Sequence, residues 1–145
     1  MKIQIGNNQN LIKIDKRKIR STISKILKHL NCAGKEISIT FINDEAIKQL
    51  NNQYRNKNKP TDVLSFSLQE GEFGCINPDV LGDVVISVET ATKNAQKNSL
   101  SSEQEINFLI IHGLLHLLGY NHENTTREET RKMKEKEKEL WELFN

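Results

Sequence analysis

The sequence predicts a single-domain α+β fold, a mixed sheet of about four strands packed with about five helices. Three observations carry that prediction. The 145 residues match one domain with a core of its own. Short alternating or continuous apolar runs sit between stretches with 3.6-residue periodicity, and the helical stretches dominate both ends. No internal repeat or low-complexity linker divides the chain, so residues 1–145 read as one domain.

The elements follow in order. Lys2 to Ile5 alternates polar and apolar, as a short strand does. Asp15 opens a helical pattern with Ile19, Ile23, Ile26, Leu27 and Leu30 on one face, ending near Gly34. Ile37, Ile39 and Phe41 alternate as a second strand. Asn43 and Asp44 offer caps for a helix that turns Ile47 and Leu50 inward and reaches Tyr54, and Pro60 stops any continuation. Asp62 to Ser67 reads as a strand, Gly71 to Pro78 as a loop, and Val80 to Val88 as a buried strand leading into a helix to about Lys97. Ser101 and Ser102, with Gln104 and Glu105 three residues on, give capping-box signals for a helix running through Leu118 to a stop at Gly119. Thr125 and Thr126, with Glu128 and Glu129, repeat the signal before a last helix ending in Leu140, Trp141, Leu143 and Phe144.

Composition narrows the class. A charged fraction of 28% is ordinary for a soluble protein. The net charge of +2 permits a nucleic-acid partner without requiring one. Basic residues crowd the N-terminal fifth, from Lys13 to Lys28, and gather again at Arg55, Lys57 and Lys59. Either group alone is most simply a solvated face. Cys32 and Cys75 form no C-x-x-C pair, which excludes a disulfide framework and a thiolate zinc site and fits a reducing compartment. The N-terminal MKIQIGNNQN has no apolar core of a secretory signal, and the longest apolar stretch, Ile106 to Leu118, is too short to span a bilayer. A cytoplasmic protein with no membrane partner is expected.

Chemistry concentrates in His112-Gly-Leu-Leu-His116-Leu-Leu-Gly119-Tyr-Asn-His122. His112 and His116 stand at i and i+4, which places their rings on one helix face about 40° apart. Gly119 tolerates the positive φ that swings His122 back toward them. Three imidazoles leave a fourth tetrahedral position open, the mark of a catalytic rather than structural zinc site. A single histidine on an apolar helix is usually a satisfied core residue. Two imidazoles among aliphatics cost free energy without partners, and a metal supplies both at once. One Zn²⁺ per chain is expected. The spacing is zincin-like, H-E-x-x-H-x-x-G-x-x-H, except that Gly113 stands where the general-base Glu belongs. That counts against peptide hydrolysis by the zincin route. His29, in the first helix, has no metal-type neighbour and reads as a surface or boundary residue.

HGLLHLLGYNH resembles the H-G-x-L-H-L-x-G-Y-D-H signature of the bacterial YbeY family of endoribonucleases. The segment from Leu50 to Phe66, LNNQYRNKNKPTDVLSF, resembles that family's L-N-x-x-Y-R-x-K-D-x-P-T-D-V-L-S-F block, and Leu81 to Ser87 resembles its L-G-D-I-x-I-S strand. The likeness runs from the second strand to the last helix. Asn58, Ser67 and Asn121 depart from the family's Asp, Pro and Asp. Asn121 matters most, because an acid there would orient a ligand histidine from behind.

The resemblance implies a zinc-dependent, single-strand-specific endoribonuclease. It would act on rRNA, at the 3′ end of the small-subunit RNA, and in ribosome quality control, with the ribosome or its small subunit as partner and no DNA. It assigns the metal to His112, His116 and His122 and a catalytic role to Arg55, whose planar fork suits the charge of a phosphoryl transition state. Arg55 read without the resemblance is equally a helix-end surface cation. Asp83, in an apolar strand, and Asn121 are candidates for supporting a histidine, and Asp62 reads as a cap or turn residue. Two other classes compete: a non-catalytic assembly factor braced by zinc, and a zinc hydrolase of peptide or amide bonds.

Overall fold

The computed structural model describes residues 3–68, 79–120 and 126–144. The predicted loop at Gly71 to Pro78, together with Cys75, Asn121, His122 and Thr125, lies outside the described residues. The elements run β1 (Ile3–Asn7), α1 (Lys16–His29), β2 (Glu36–Ile42), α2 (Asp44–Arg55), β3 (Val63–Ser67), β4 (Val80–Ser87), α3 (Val88–Lys97), α4 (Ser102–Leu117) and α5 (Arg127–Phe144). The sheet is mixed, as expected, in the order β1-β2-β4-β3. β1 and β2 pair in parallel, as do β2 and β4, while β3 runs antiparallel to β4 at the edge.

Capping chemistry fixes the helix starts. The Asp15 carboxylate accepts from Lys18 N–H at 3.2 Å and the Asn43 amide from Ala46 N–H at 2.9 Å. Ser101 and Gln104 close a reciprocal capping box at the start of α4. α1 ends at His29 rather than near Gly34, and Asn31 takes the left-handed turn at φ 60°. β4 ends one residue early because Ser87 becomes the N-cap of α3.

The core divides across the sheet. Ile37, Ile39, Phe41, Val84 and Ile86 meet α1, α4 and buried Met133 and Leu140 of α5 on one face. Ile42, Leu64 and Val85 meet Ile47 of α2 on the other. α2 is tied down at its first residue, where the Asp44 carboxylate accepts from Ser87 Oγ and Thr90 Oγ1, each at 2.6 Å. Burial raises that acid's pKa, but these hydroxyls and the charge of Lys93 outweigh it and hold the group below its ordinary value. His29, at the end of α1, bonds Glu139 of α5 at 2.8 Å and meets Phe144 edge-on.

At Gly113 α4 comes into close contact with the sheet. A Cβ there would stand 2.8 Å and 3.0 Å from the two methyls of Val84 and 3.3 Å from Ser65 Oγ. On β3, Ser65 and Ser67 turn their hydroxyls to the carbonyls of Gly113 and Leu117, both at 3.4 Å. Small side chains thus let the helix settle onto the strands. Gly113→Ala should gain helix propensity yet lose about 1–3 kcal/mol net through overpacking. Urea denaturation checks this, and a variant as stable as the parent would show that α4 sits more loosely than described.

Candidate active site

Glu105, Phe108, His112 and His116 recur on one stripe of α4, since offsets of seven and four residues return nearly to the same angle. The stripe floors a cleft of about 1260 Å³. The edge strand β3 forms one side, Tyr54 and Arg55 at the end of α2 another, and Lys134, Glu137 and Trp141 of α5 a third.

The two histidines are oriented from behind and face each other in front. His112 Nδ1 meets Glu137 Oε1 at 2.8 Å, with both side chains only 17% exposed. His112 Nε2 and His116 Nε2 stand 3.0 Å apart, with ring centroids at 4.6 Å and planes at 75°. Without a cation, one ring must donate to the other. The same nitrogens also suit a shared metal: zinc–nitrogen bonds of about 2.0–2.1 Å at a tetrahedral angle place two donors about 3.3–3.4 Å apart. A carboxylate behind a ligand histidine is the usual means of fixing its tautomer. The donor set therefore fits zinc. Among the described residues no third metal-type side chain joins the pair, and His122 and Asn121 lie outside them. The described residues therefore show the His112–His116 pair and not the expected zincin-like His₃ site.

Arg55 ends α2 and is exposed on the cleft. Asn56 then turns through the left-handed region at φ 57°, and Asn51 Nδ2 bonds the carbonyl of Lys59 at 2.9 Å, which closes the following loop. Gly119 has φ 99°, as its place after the helix requires. Asp62 lines the cleft and accepts from Val63 N–H at 2.8 Å, Thr61 Oγ1 at 3.4 Å and Asn94 Nδ2 at 3.4 Å.

Asp83 requires a correction. Strand alternation turns Val84 toward α4, so Asp83 points to the opposite side of the sheet, where it is exposed. It is neither a buried strand acid nor a support for His112 or His116. Gly113, read from sequence as a missing general base, is where α4 touches Val84, so a glutamate has no room there.

Two residues escaped the sequence reading. Glu137 lies in a Lys/Glu-rich helix, where nothing local distinguishes it from a solvated acid. Glu105 looked like half of a capping box, but Gln104 takes that role. Its position seven residues before His112 was the available signal. Glu105 is 6% exposed. Burial, then the negative charge of Asp62, push its pKa above the ordinary 4.5.

This site, a helix-borne histidine pair in a cleft edged by arginine and lysine, has the parts of a hydrolytic centre for an anionic substrate. A family model described as Endoribonuclease YbeY matches residues 4–145. An Endoribonuclease YbeY from Syntrophus aciditrophicus is 52% identical over 145 residues, spanning 100% of this chain and 91% of that protein. Its counterpart from Geobacter sulfurreducens is 40% identical over 144 residues, spanning 99% and 96%. A solution structure from Thermotoga maritima shares the fold, with a TM-score of 0.62 at 24% identity over 97% of this chain and 90% of that one. The chain belongs to the YbeY endoribonuclease family.

The state of Glu105 gives a stability test. Its raised pKa means the folded state disfavours the charged form, so stability declines as pH rises from 4.5 through the folded value. Glu105→Gln removes that penalty. Thermal melts should show the variant gaining on the parent at pH 7, with the gap narrowing below pH 4.5. A gap independent of pH would mean that Glu105 is not strained by its charge.

Proposed function

We propose that the chain is a zinc-dependent endoribonuclease that cleaves single-stranded RNA. In this reading it serves rRNA processing at the small-subunit 3′ end and ribosome quality control, in contact with the ribosome. The observation that carries this is the 3.0 Å convergence of His112 Nε2 and His116 Nε2 in a cleft that Arg55 also lines. Family membership supplies the substrate class.

His112, His116 and His122 would hold one Zn²⁺ per chain. When bound, the ion supplies a Lewis acid and lowers the pKa of water toward neutrality. Glu137 accepts the Nδ1 proton of His112 and so directs the Nε2 lone pair into the cleft. Arg55 binds the scissile phosphate through its planar fork and stabilises the charge that grows on it. Lys134 and Lys138 on α5 draw the phosphate backbone toward the cleft. The steric exclusion of a glutamate at position 113 weighs against a zincin-type peptidase.

Metal content and cleavage test the ligand assignment together. The His112→Ala/His116→Ala variant should lose both stoichiometric zinc and cleavage of single-stranded RNA. Glu137→Gln should keep the fold and weaken zinc by about 10–100-fold. Full zinc occupancy in the double variant would remove these ligands. A zinc-loaded parent that cleaves no RNA would favour the assembly-factor reading.

Arg55 separates catalysis from folding. Arg55→Ala should lose on the order of 10²–10³ in rate while retaining zinc and melting temperature. Arg55→Lys should restore little, because an ammonium offers no planar fork. Near-parental cleavage by Arg55→Ala would remove it from the mechanism.

A further inference from the structure

Glu105 is the group the mechanism above does not use. It lies two helical turns from His112 on the same stripe, roughly 10 Å along the axis at a 1.5 Å rise. It is 6% exposed and lines the cleft. Among the described residues its carboxyl accepts no hydrogen bond, and its oxygens are not sealed away from the cleft, so they are open to a ligand that enters it. Asp62 beside it is different: its oxygens are already engaged by Val63 N–H, Thr61 Oγ1 and Asn94 Nδ2. Between Glu105 and His112 sits half-buried Phe108, stacked with the His112 ring at 6.1 Å and edge-on to Trp141 at 6.2 Å.

Charge decides what this end of the cleft can take. Two neighbouring acids repel a phosphate. A hard cation needs several oxygen ligands, and only the Glu105 carboxyl is open. What remains is a neutral ligand edge carrying N–H donors, with an aromatic ring beside it. Resting on the single-stranded RNA reading, we propose that Glu105 and Phe108 form a base-reading subsite, in which Phe108 stacks a base and Glu105 accepts from its Watson–Crick edge. Guanine fits best, because N1–H and the N2 amino group stand side by side and match both oxygens of one carboxylate. Cytosine offers one amino donor, and adenine sets an acceptor beside its amino group. The separation from His112 corresponds to at most about three stacked nucleotides at a 3.4 Å rise. The preferred base thus lies close to the cleaved bond, and the subsite sets where along a strand cleavage falls.

The experiment measures binding of zinc-loaded protein at pH 8 to 2′-O-methyl oligouridines, each carrying one central G, A, C or U, by fluorescence anisotropy, with each strand checked on a gel to be intact at the end. The G-bearing strand should bind about tenfold or more tightly than the U strand, the scale of a bidentate base contact. Glu105→Gln, whose amide places a donor beside an acceptor, should lose the preference for G and favour A. Phe108→Ala should weaken all four strands alike. Equal binding of all four strands by the parent, with retained affinity, would overturn the subsite and leave the nuclease reading standing. A preference for G unchanged in Glu105→Gln would overturn the assignment to that residue. No binding to any strand would overturn both. Manganese titration of the parent and Glu105→Gln adds a further arm: a Glu105-dependent ion alongside base-indifferent binding would make the group a cation ligand instead.

Discussion

The approach of α4 to the sheet at Gly113 is the constraint on which the site depends. Helix and strand meet there with no room for a Cβ beside Val84, and Ser65 and Ser67 keep the edge strand equally slim. Leu114, Leu115 and Leu117 are buried in the same core cluster. The stripe beside the Gly113 contact, carrying His112 and His116, is left facing the cleft. A bulkier residue at 113 would lift α4 and carry His112 and His116 with it. Burying the rest of the helix among aliphatics holds these rings at a fixed depth and leaves them little rotamer freedom.

Position is then completed from elements distant in sequence. Glu137 comes from α5 to the back of His112, 25 residues on. Arg55 comes from the end of α2, which packs on the other face of the sheet and is held there by Ile47 and by the hydroxyls on Asp44. The cleft thus has a floor of polar and aromatic side chains on α4 and charged walls from separately anchored helices. Preorganised charge of this kind acts most strongly where water is scarce.

What the sequence disclosed and what it hid have different physical origins. Local signals were legible: the i, i+4 histidines, the Ser101 cap, the positive φ at Gly119 and the alternating strands of a mixed sheet each depend on a few neighbouring residues. Arg55 came from the resemblance, since a helix-end arginine has no signature of its own. Glu137 was hidden because its partner lies on another helix, and charge in a Lys/Glu run carries no mark of direction. Asp83 was misplaced because a nearly continuous apolar run conceals which residues face which side. Gly113 was read for the chemistry it lacks, whereas its role is contact across the helix–sheet interface.

The polar stripe of α4 also bears on why a helix this apolar carries an acid at all. Burial disfavours an ionised carboxylate at Glu105, and among the described residues no hydrogen bond of the fold uses it. A group that costs stability without a structural partner is most readily retained for a ligand. The histidine pair follows the same logic, with two imidazoles converging where aliphatic side chains would pack. Along one helix face the molecule thus has two sets of polar groups, separated by an aromatic ring. Imidazole nitrogens at one end are the donors of the proposed metal site. Carboxylate oxygens at the other suit the edge of a base, so a single strand lying along α4 would meet phosphate chemistry and base recognition in turn.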